Sequence, residues 1–402
     1  MKNSNKKYDY LIVGAGIIGM TIAYELKSRN PNISIVIIDK EDNVGKHASG
    51  RNSGVLHAGF YYSADSLKAK FTVNGNKLMK QFCYNNDIFV NETKKIVVAK
   101  DEIELEGIYE LQKRAEINGV ETSIIDEDTV YKIDPNIKTY KKALYSPTTA
   151  SINPLEVCFK LKEVLEKKDV EFYFNTPFSK CHLDYGYLVN SSGAYADKIA
   201  QQFGLAKNYT MLPFKGIYLK YLENKTDIKT NIYPVPNLSN PFLGVHYTIT
   251  SDGSIKIGPT AIPAFWRENY SGFNNFNIFE MIEVLYYESK LFILNSFNFR
   301  SLALNEFKNY STKYFIQTAK NMVKKIENNF KPMPAGIRAQ LLNTKTNELV
   351  QDFVVEHAEN STHILNSVSP AFTCSFSFAE YVVDQINNNK LRYNSILNKE
   401  NL

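Results

Sequence analysis

The feature that most restricts what this chain can fold into is Gly14-Ala15-Gly16-Ile17-Ile18-Gly19, a GxGxxG between an apolar β-rich stretch at 8–13 and a helical pattern at 20–29. A second fully apolar stretch follows at 33–38, so the three segments predict a βαβ unit. In that setting the first glycine turns the chain out of the strand, the second lets the backbone approach a pyrophosphate, and the third lets helix and strand pack closely. Phosphates rest on the free amides of the helix N-terminus, where the helix dipole favours negative charge. Asp39, at the end of the second stretch, is placed to accept hydrogen bonds from a ribose. A carboxylate there repels a 2′-phosphate, which favours FAD or NAD over NADP.

The loop after Asp39 separates these two. His47-Ala48-Ser49-Gly50-Arg51-Asn52-Ser53-Gly54-Val55-Leu56-His57-Ala58-Gly59 gathers small and polar side chains directly after the second strand. Such a loop can follow a long cofactor toward its reactive ring, and a plain NAD dehydrogenase has no need of it. FAD is therefore the expected cofactor. Gly14, Gly16, Ile17, Ile18, Gly19, Asp39 and Lys40 are expected at its adenosine and phosphate end, and Ser49, Arg51, Ser53, Gly54 and Val55 along the loop. Ser192 and Gly193, ahead of a helical pattern at 196–203, suit a further backbone contact. Ser369 precedes a helix expected at 378–387, whose N-terminus would face the flavin's pyrimidine end.

At 402 residues and 44% hydrophobic, the chain exceeds what one compact core holds, so two domains are expected. Helical and β patterns alternate to about residue 203, β-rich segments fill 213–262, and 276–330 is mostly helical. The expected fold is α/β: a Rossmann-like FAD-binding domain interwoven with a substrate domain of antiparallel sheet plus helices. The first takes 1–87, 151–212 and 334–402, the second 88–150 and 213–333. A formal charge of +5 with the two signs interspersed points away from nucleic acid. Four cysteines without a CxxC pair read as reduced thiols of a cytosolic protein, and six histidines form no recognisable metal-ligand cluster. The apolar run at 11–23 is too short for a membrane span, and with Asp9 before it, three glycines inside it and no small-residue cleavage site after it, it does not read as an export signal.

With these residues in view, the chain resembles the L-2-hydroxyglutarate oxidase/dehydrogenase family, within the amino-acid-oxidase-like FAD enzymes. The resemblance rests on residues 49–62 with Ser66-Leu67-Lys68-Ala69-Lys70, on Leu144-Tyr145-Ser146-Pro147-Thr148-Thr149, and on Ile232-Tyr233-Pro234-Val235-Pro236 with 243–248. It continues in Gly258-Pro259-Thr260-Ala261 and Gly336-Ile337-Arg338-Ala339-Gln340. It implies oxidation of L-2-hydroxyglutarate to 2-oxoglutarate, with electrons passing to oxygen, a quinone or another acceptor. The alternatives are another small hydroxy or amino acid on the same scaffold, or a protein that holds FAD without turnover. The chain departs from the family pattern in a shortened stretch at 174–187 where a β-meander is usual. It also carries Lys215 where arginine is common, and Ser191-Ser192-Gly193 in place of Cys-Ala-Gly.

Removing a hydride from a carbon bearing a hydroxyl requires a base for the hydroxyl proton and cations for the carboxylates. Arg338 is the expected carboxylate clamp, because its planar guanidinium matches a carboxylate and stays charged; the competing reading is a structural ion pair. His57 and His246 compete for the base; His57 also reads as a hydrogen-bond partner of the flavin or of the protein, and His246, alternating with Val245 and Tyr247, points either into the substrate chamber or to the opposite face of its strand. Tyr61, Tyr62, Tyr218 and Thr248 are hydroxyl donors or packing residues, and Arg51 and Lys215 are anion partners or surface cations. Lys308, Lys313, Lys320, Lys324 and Lys325, interleaved with Phe307, Tyr314 and Phe315, read as a solvated helical face or as a peripheral contact with the inner face of an anionic membrane.

Overall fold

The computed structural model describes residues 6–223, 228–236 and 243–400, with side chains through Leu391. The βαβ unit forms as strand Lys7–Val13, helix Ile17–Arg29 and strand Ile35–Ile38. The helix starts earlier than its apolar spacing suggests, because the last residues of the glycine motif already form its first turn, with Gly16 as N-cap.

These elements sit at the centre of a six-stranded sheet in the order Val354–Ala358, Ser361–Asn366, Asp184–Asn190, Lys7–Val13, Ile35–Ile38, Val170–Tyr173. Every neighbouring pair is parallel except the hairpin of the first two strands. A parallel sheet must be covered on both faces, which explains its near-continuous apolar strands. Ile12, Ile37 and Val189 enter the large core beneath helices Ile17–Arg29, Leu67–Asn85 and Ala371–Glu400. Their neighbours Leu11, Val13, Val36 and Leu188 turn to the opposite face and pack with Ile199 and Phe203. The C-terminal helix begins seven residues before the expected 378, at Ala371. Thr373, Ser375 and Ser377 hid this turn from propensity. They are buried, and the Ser377 hydroxyl donates to the Phe71 carbonyl at 2.7 Å.

An eight-stranded sheet forms the second layer, in the order Phe330–Pro332, Leu219–Tyr221, Ile255–Gly258, His246–Ile249, Asn231–Pro234, Lys95–Val98, Lys142–Ser146, Ser123–Asp126. It is antiparallel, as expected, except where Asn231–Pro234 lies parallel to Lys95–Val98. Those two strands come from distant parts of the chain, so no hairpin dictates their relative direction. A four-stranded sheet, Ile262–Pro263, Tyr209–Gly216, Gly336–Asn343, Glu348–Leu349, links the two layers. Strand Tyr209–Gly216 pairs along its whole length with Gly336–Asn343 and runs straight through the expected boundary at 212/213. The helical stretch forms Ile278–Leu294, Phe299–Lys308 and Thr312–Lys320, with Phe315 turned into the core rather than toward solvent. No described helix is long and apolar enough to cross a membrane. The four cysteines are free, three of them buried.

Candidate active site

A cavity of about 700 Å³ runs between the layers, from the glycine motif to the four-stranded and eight-stranded sheets. At one end Gly14 has φ +107°, and a Cβ there would lie 2.5 Å from the Ser191 carbonyl oxygen, so only glycine makes this turn. The first turn of helix Ile17–Arg29 carries no acidic side chain and is open to an anion. Asp39 is anchored by the Ala15 and Glu41 amides, which donate to its two oxygens at 2.8 and 2.9 Å. A carboxylate has lone pairs beyond these two, and Asp39 lines the cavity, so it remains able to accept from ribose hydroxyls. Ser49 Oγ accepts from the Ile17 amide at 2.9 Å, which ties the loop after the second strand to the phosphate end. The residues present fit a dinucleotide.

Of the expected cofactor residues, Gly14, Gly16, Ile17, Ile18, Asp39, Lys40, Ser49, Arg51, Ser53, Val55, Ser192, Gly193 and Ser369 line the cavity. Gly19 and Gly54 do not. A Cβ on Gly19 would meet the Gly14 carbonyl at 2.2 Å, so this glycine serves helix–strand packing. Gly54, at φ +76° and against the Ile152 carbonyl, shapes the loop. Arg51 is committed to protein groups. Its guanidinium lies 4.3 Å from the Tyr270 ring centroid, and its Nε donates to the Lys46 carbonyl at 2.8 Å. Lys215 is withdrawn from the cavity and donates to Asn269 Oδ1 at 3.2 Å. Tyr61, Tyr62 and Thr248 also lie outside the lining, whereas Tyr218 belongs to it.

At the other end His57, His246 and Arg338 share the lining. They reach it from three separate elements: the segment after Val55–Leu56, strand His246–Ile249 and strand Gly336–Asn343. The His57 backbone is clamped, its amide donating to Thr373 Oγ1 at 3.2 Å and its carbonyl accepting from Asn76 Nδ2 at 3.1 Å. Burial holds the His57 imidazole well below its usual range, and the charges of Lys95, His246 and Arg338 push it the same way. Burial brings His246 down to about 3. His246 Nδ1 faces the Gly244 carbonyl at 2.8 Å. A carbonyl only accepts, so this nitrogen carries the proton, and in the neutral ring Nε2 keeps its lone pair. Arg338 is also lowered by burial, as are Lys68 and Lys256, each to about 8. This end of the cavity thus carries a desolvated guanidinium and two neutral imidazoles, with Lys68 and Lys256 outside its lining.

Residues absent from the sequence reading build the remaining wall. Glu268, Tyr270 and Asn277 line the cavity from the segment ahead of helix Ile278–Leu294, and Glu280 from the first turn of that helix. Lys40 bridges Glu41 and Glu268, and His47 Nδ1 meets Tyr270 Oη at 2.7 Å. Glu41, His47 and Glu268 converge within reach of one ion, but the Lys40 ammonium already joins the two carboxylates into a salt-bridge network. Beneath this wall Arg267 pairs with Asp197, both essentially without exposed surface. Thr176, Pro177, Phe178 and Ser179, in the shortened stretch, line the same cavity. Residues from separate loops meet here with no shared periodicity, so no local pattern announces them.

The geometry agrees with what this chain is similar to. Residues 9–385 match the family described as FAD dependent oxidoreductase. The L-2-hydroxyglutarate dehydrogenase of Escherichia coli (strain K12) is 31% identical over 397 residues, covering 94% of this chain and 93% of that protein. The mitochondrial L-2-hydroxyglutarate dehydrogenase of Bos taurus is 32% identical over 95% of this chain and 89% of its own length. Among solved structures, L-α-glycerophosphate oxidase from Mycoplasma pneumoniae with FAD bound has a TM-score of 0.76 at 20% identity, covering 95% of both chains. Glycine oxidase from Geobacillus kaustophilus has a TM-score of 0.66 at 18% identity with the same coverage, so these two share the fold. With the glycine motif and the residues that fit a dinucleotide lining one cavity, and a family match along nearly its whole length, the chain belongs to the FAD-dependent oxidoreductases and uses FAD as its cofactor.

Proposed function

We propose that this enzyme oxidises a small 2-hydroxy acid to the 2-oxo acid, with L-2-hydroxyglutarate as the preferred substrate. The observation that carries the reading is the convergence of Arg338, His57 and His246 at the far end of the cavity that begins at the glycine motif. The printed names of the relatives at about 31% identity support the substrate. Arg338 holds the carboxylate next to the reacting carbon, where burial strengthens a charge-assisted pair. The hydroxyl proton goes to the imidazole pair, both members of which are neutral and therefore able to accept it. Bound FAD supplies the acceptor for the hydride leaving the α-carbon.

The test is an anaerobic titration of the flavin with L-2-hydroxyglutarate, its D-enantiomer and a panel of amino acids. Bleaching by the L-hydroxy acid alone supports the reading. Bleaching by an amino acid, or by nothing, overturns the substrate and leaves the family untouched. His57→Asn and His246→Asn then divide the base role, since the true base should lose about 10²–10⁴-fold in rate.

Sheet membership supports reading the chain as two interwoven units with the bounds expected above, apart from strand Tyr209–Gly216, which spans 212/213, and strand Ala150–Ser151, which spans 150/151 and pairs with Val55–Leu56. The electron acceptor belongs to the same proposal, as oxygen or a membrane quinone. Helices Ile278–Leu294 and Phe299–Lys308 and the loop before them leave Phe273, Phe279, Ile282, Tyr286 and Ile293 exposed, Phe273 and Phe279 by more than 80%. Arg300, Lys308 and Lys313 are exposed in the same stretch, and an apolar surface edged with cations fits the headgroup region of an anionic bilayer. Sedimentation with vesicles tests this contact. Binding to phosphatidylglycerol-containing but not to neutral vesicles supports it, and a protein that stays in the supernatant with both overturns it.

A further inference from the structure

Lys95 opens strand Lys95–Val98 with no exposed surface at all, and among the described residues its Nζ has no hydrogen-bond partner. Three rings surround it: Nζ lies 4.0 Å from the centroid of Tyr233, 5.2 Å from Tyr61 and 5.7 Å from Phe60. Cation–π attraction offsets only part of the cost of taking an ammonium out of water, and an apolar side chain of similar length would fill the cage without that cost. A buried charge that works against stability points to a role in function.

The cage adjoins the site. Tyr233 lines the cavity and stacks on His246 with centroids 3.7 Å apart and planes 17° from parallel. The Lys95 charge also bears on His57, whose Nδ1 is buried and has no hydrogen-bond partner among the described residues. We propose that Lys95 is a positioning residue for the proton-accepting end of the site: its ammonium lies against the Tyr233 ring that stacks on His246, and its positive charge keeps the imidazoles of that end free to accept the substrate proton. The role rests on the proposed use of these histidines as the base.

The other groups facing the pair reinforce it or are neutral. Arg338 acts on both rings from strand Gly336–Asn343, and Lys256 acts on His246 from strand Ile255–Gly258. Tyr61, Tyr62, Tyr218 and Tyr233 are all raised by burial and stay protonated. Lys95 is itself lowered by burial to about 7, so the ammonium is the main form at the lower pH where a histidine would take its proton.

The experiment uses the FAD-loaded protein with Lys95→Met, Lys95→Gln and the charge-retaining Lys95→Arg. Imidazole titration is followed by NMR without substrate, and the pH profile of kcat/KM is followed with L-2-hydroxyglutarate. In the neutral variants the His57 and His246 midpoints should rise by about one pH unit or more, and the acid limb of the rate profile should move up with them. Lys95→Arg should restore both. Neither neutral variant should melt below the parent protein. Midpoints that stay in place in either folded neutral variant overturn the proposal, as does a lowered melting temperature with unmoved midpoints, the signature of a structural lysine. If the midpoints rise while no hydroxy acid reduces the flavin, the action of Lys95 on the imidazoles stands and the proposed activity fails. If the acid reduces the flavin and the midpoints are unmoved, the activity stands and the role of Lys95 fails.

Discussion

Arg267→Ala tests the wall that closes the nucleotide half of the cavity. Arg267 is 1% exposed and its partner Asp197 0%, with Nη2 donating to Asp197 Oδ2 at 2.8 Å and Nη1 to Oδ1 and to the Ala194 carbonyl. Truncation leaves the Asp197 carboxylate in the interior with the Met211 amide, at 3.1 Å, as its remaining donor among the described residues. Breaking a buried pair from one side costs about 3–5 kcal/mol, because the orphaned charge keeps its desolvation penalty. The double variant Arg267→Met with Asp197→Leu leaves no such charge and should recover most of the loss. The single tryptophan, Trp266, is the adjacent residue and reports locally on the same segment in urea titrations. Ala194, Tyr195, Glu268 and Tyr270 line the cavity around this pair, so FAD should also be released at lower temperature, as read by flavin fluorescence. A stability loss below about 1 kcal/mol, or a double variant less stable than the single one, would refute the reasoning.

Arg338→Ala should keep the protein yellow while weakening binding of the hydroxy acid by about 2–5 kcal/mol in equilibrium titrations; flavin loss with unchanged substrate affinity would contradict the clamp. Gly14→Ala sets a Cβ 2.5 Å from the Ser191 carbonyl at a φ of +107°, so the purified protein should lack the flavin absorbance, and full retention of FAD would show that the turn can relax. Burial raises the Glu288 carboxyl to about 8, so the folded state keeps a proton that the unfolded chain releases near pH 4.3. Stability through this group is therefore present below about pH 4 and is lost as pH rises toward 8. Glu288→Gln should accordingly raise the melting temperature at pH 8 by about 2–4 °C and leave it unchanged at pH 4; equal shifts at both values would reject this.

The nucleotide end of the site was legible in local sequence because its chemistry is backbone chemistry. Gly14, Gly16 and Asp39 act through the turn, the helix N-terminus and the strand end that a contiguous βαβ unit imposes, and all three line the cavity. Period-two and helical spacing likewise anticipated strands and helices of both layers, such as Ile35–Ile38 and Ile255–Gly258, and lost others, among them strand Ser123–Asp126, the hairpin Val354–Ala358 with Ser361–Asn366, and the early start of helix Ala371–Glu400, where polar residues are buried. Arg338, His57 and His246 could be named as chemically suitable, but a sequence carries no information on whether residues so far apart along the chain share one pocket. Their meeting was decided by the antiparallel pairing of Gly336–Asn343 with Tyr209–Gly216 and by the clamping of the His57 backbone by Asn76 and Thr373. Lys95 and Arg267 mark the far limit. In sequence each is one basic residue among 47, and only tertiary packing, which removes water from both and gives Arg267 a carboxylate and Lys95 a ring of aromatics, sets them apart from the surface.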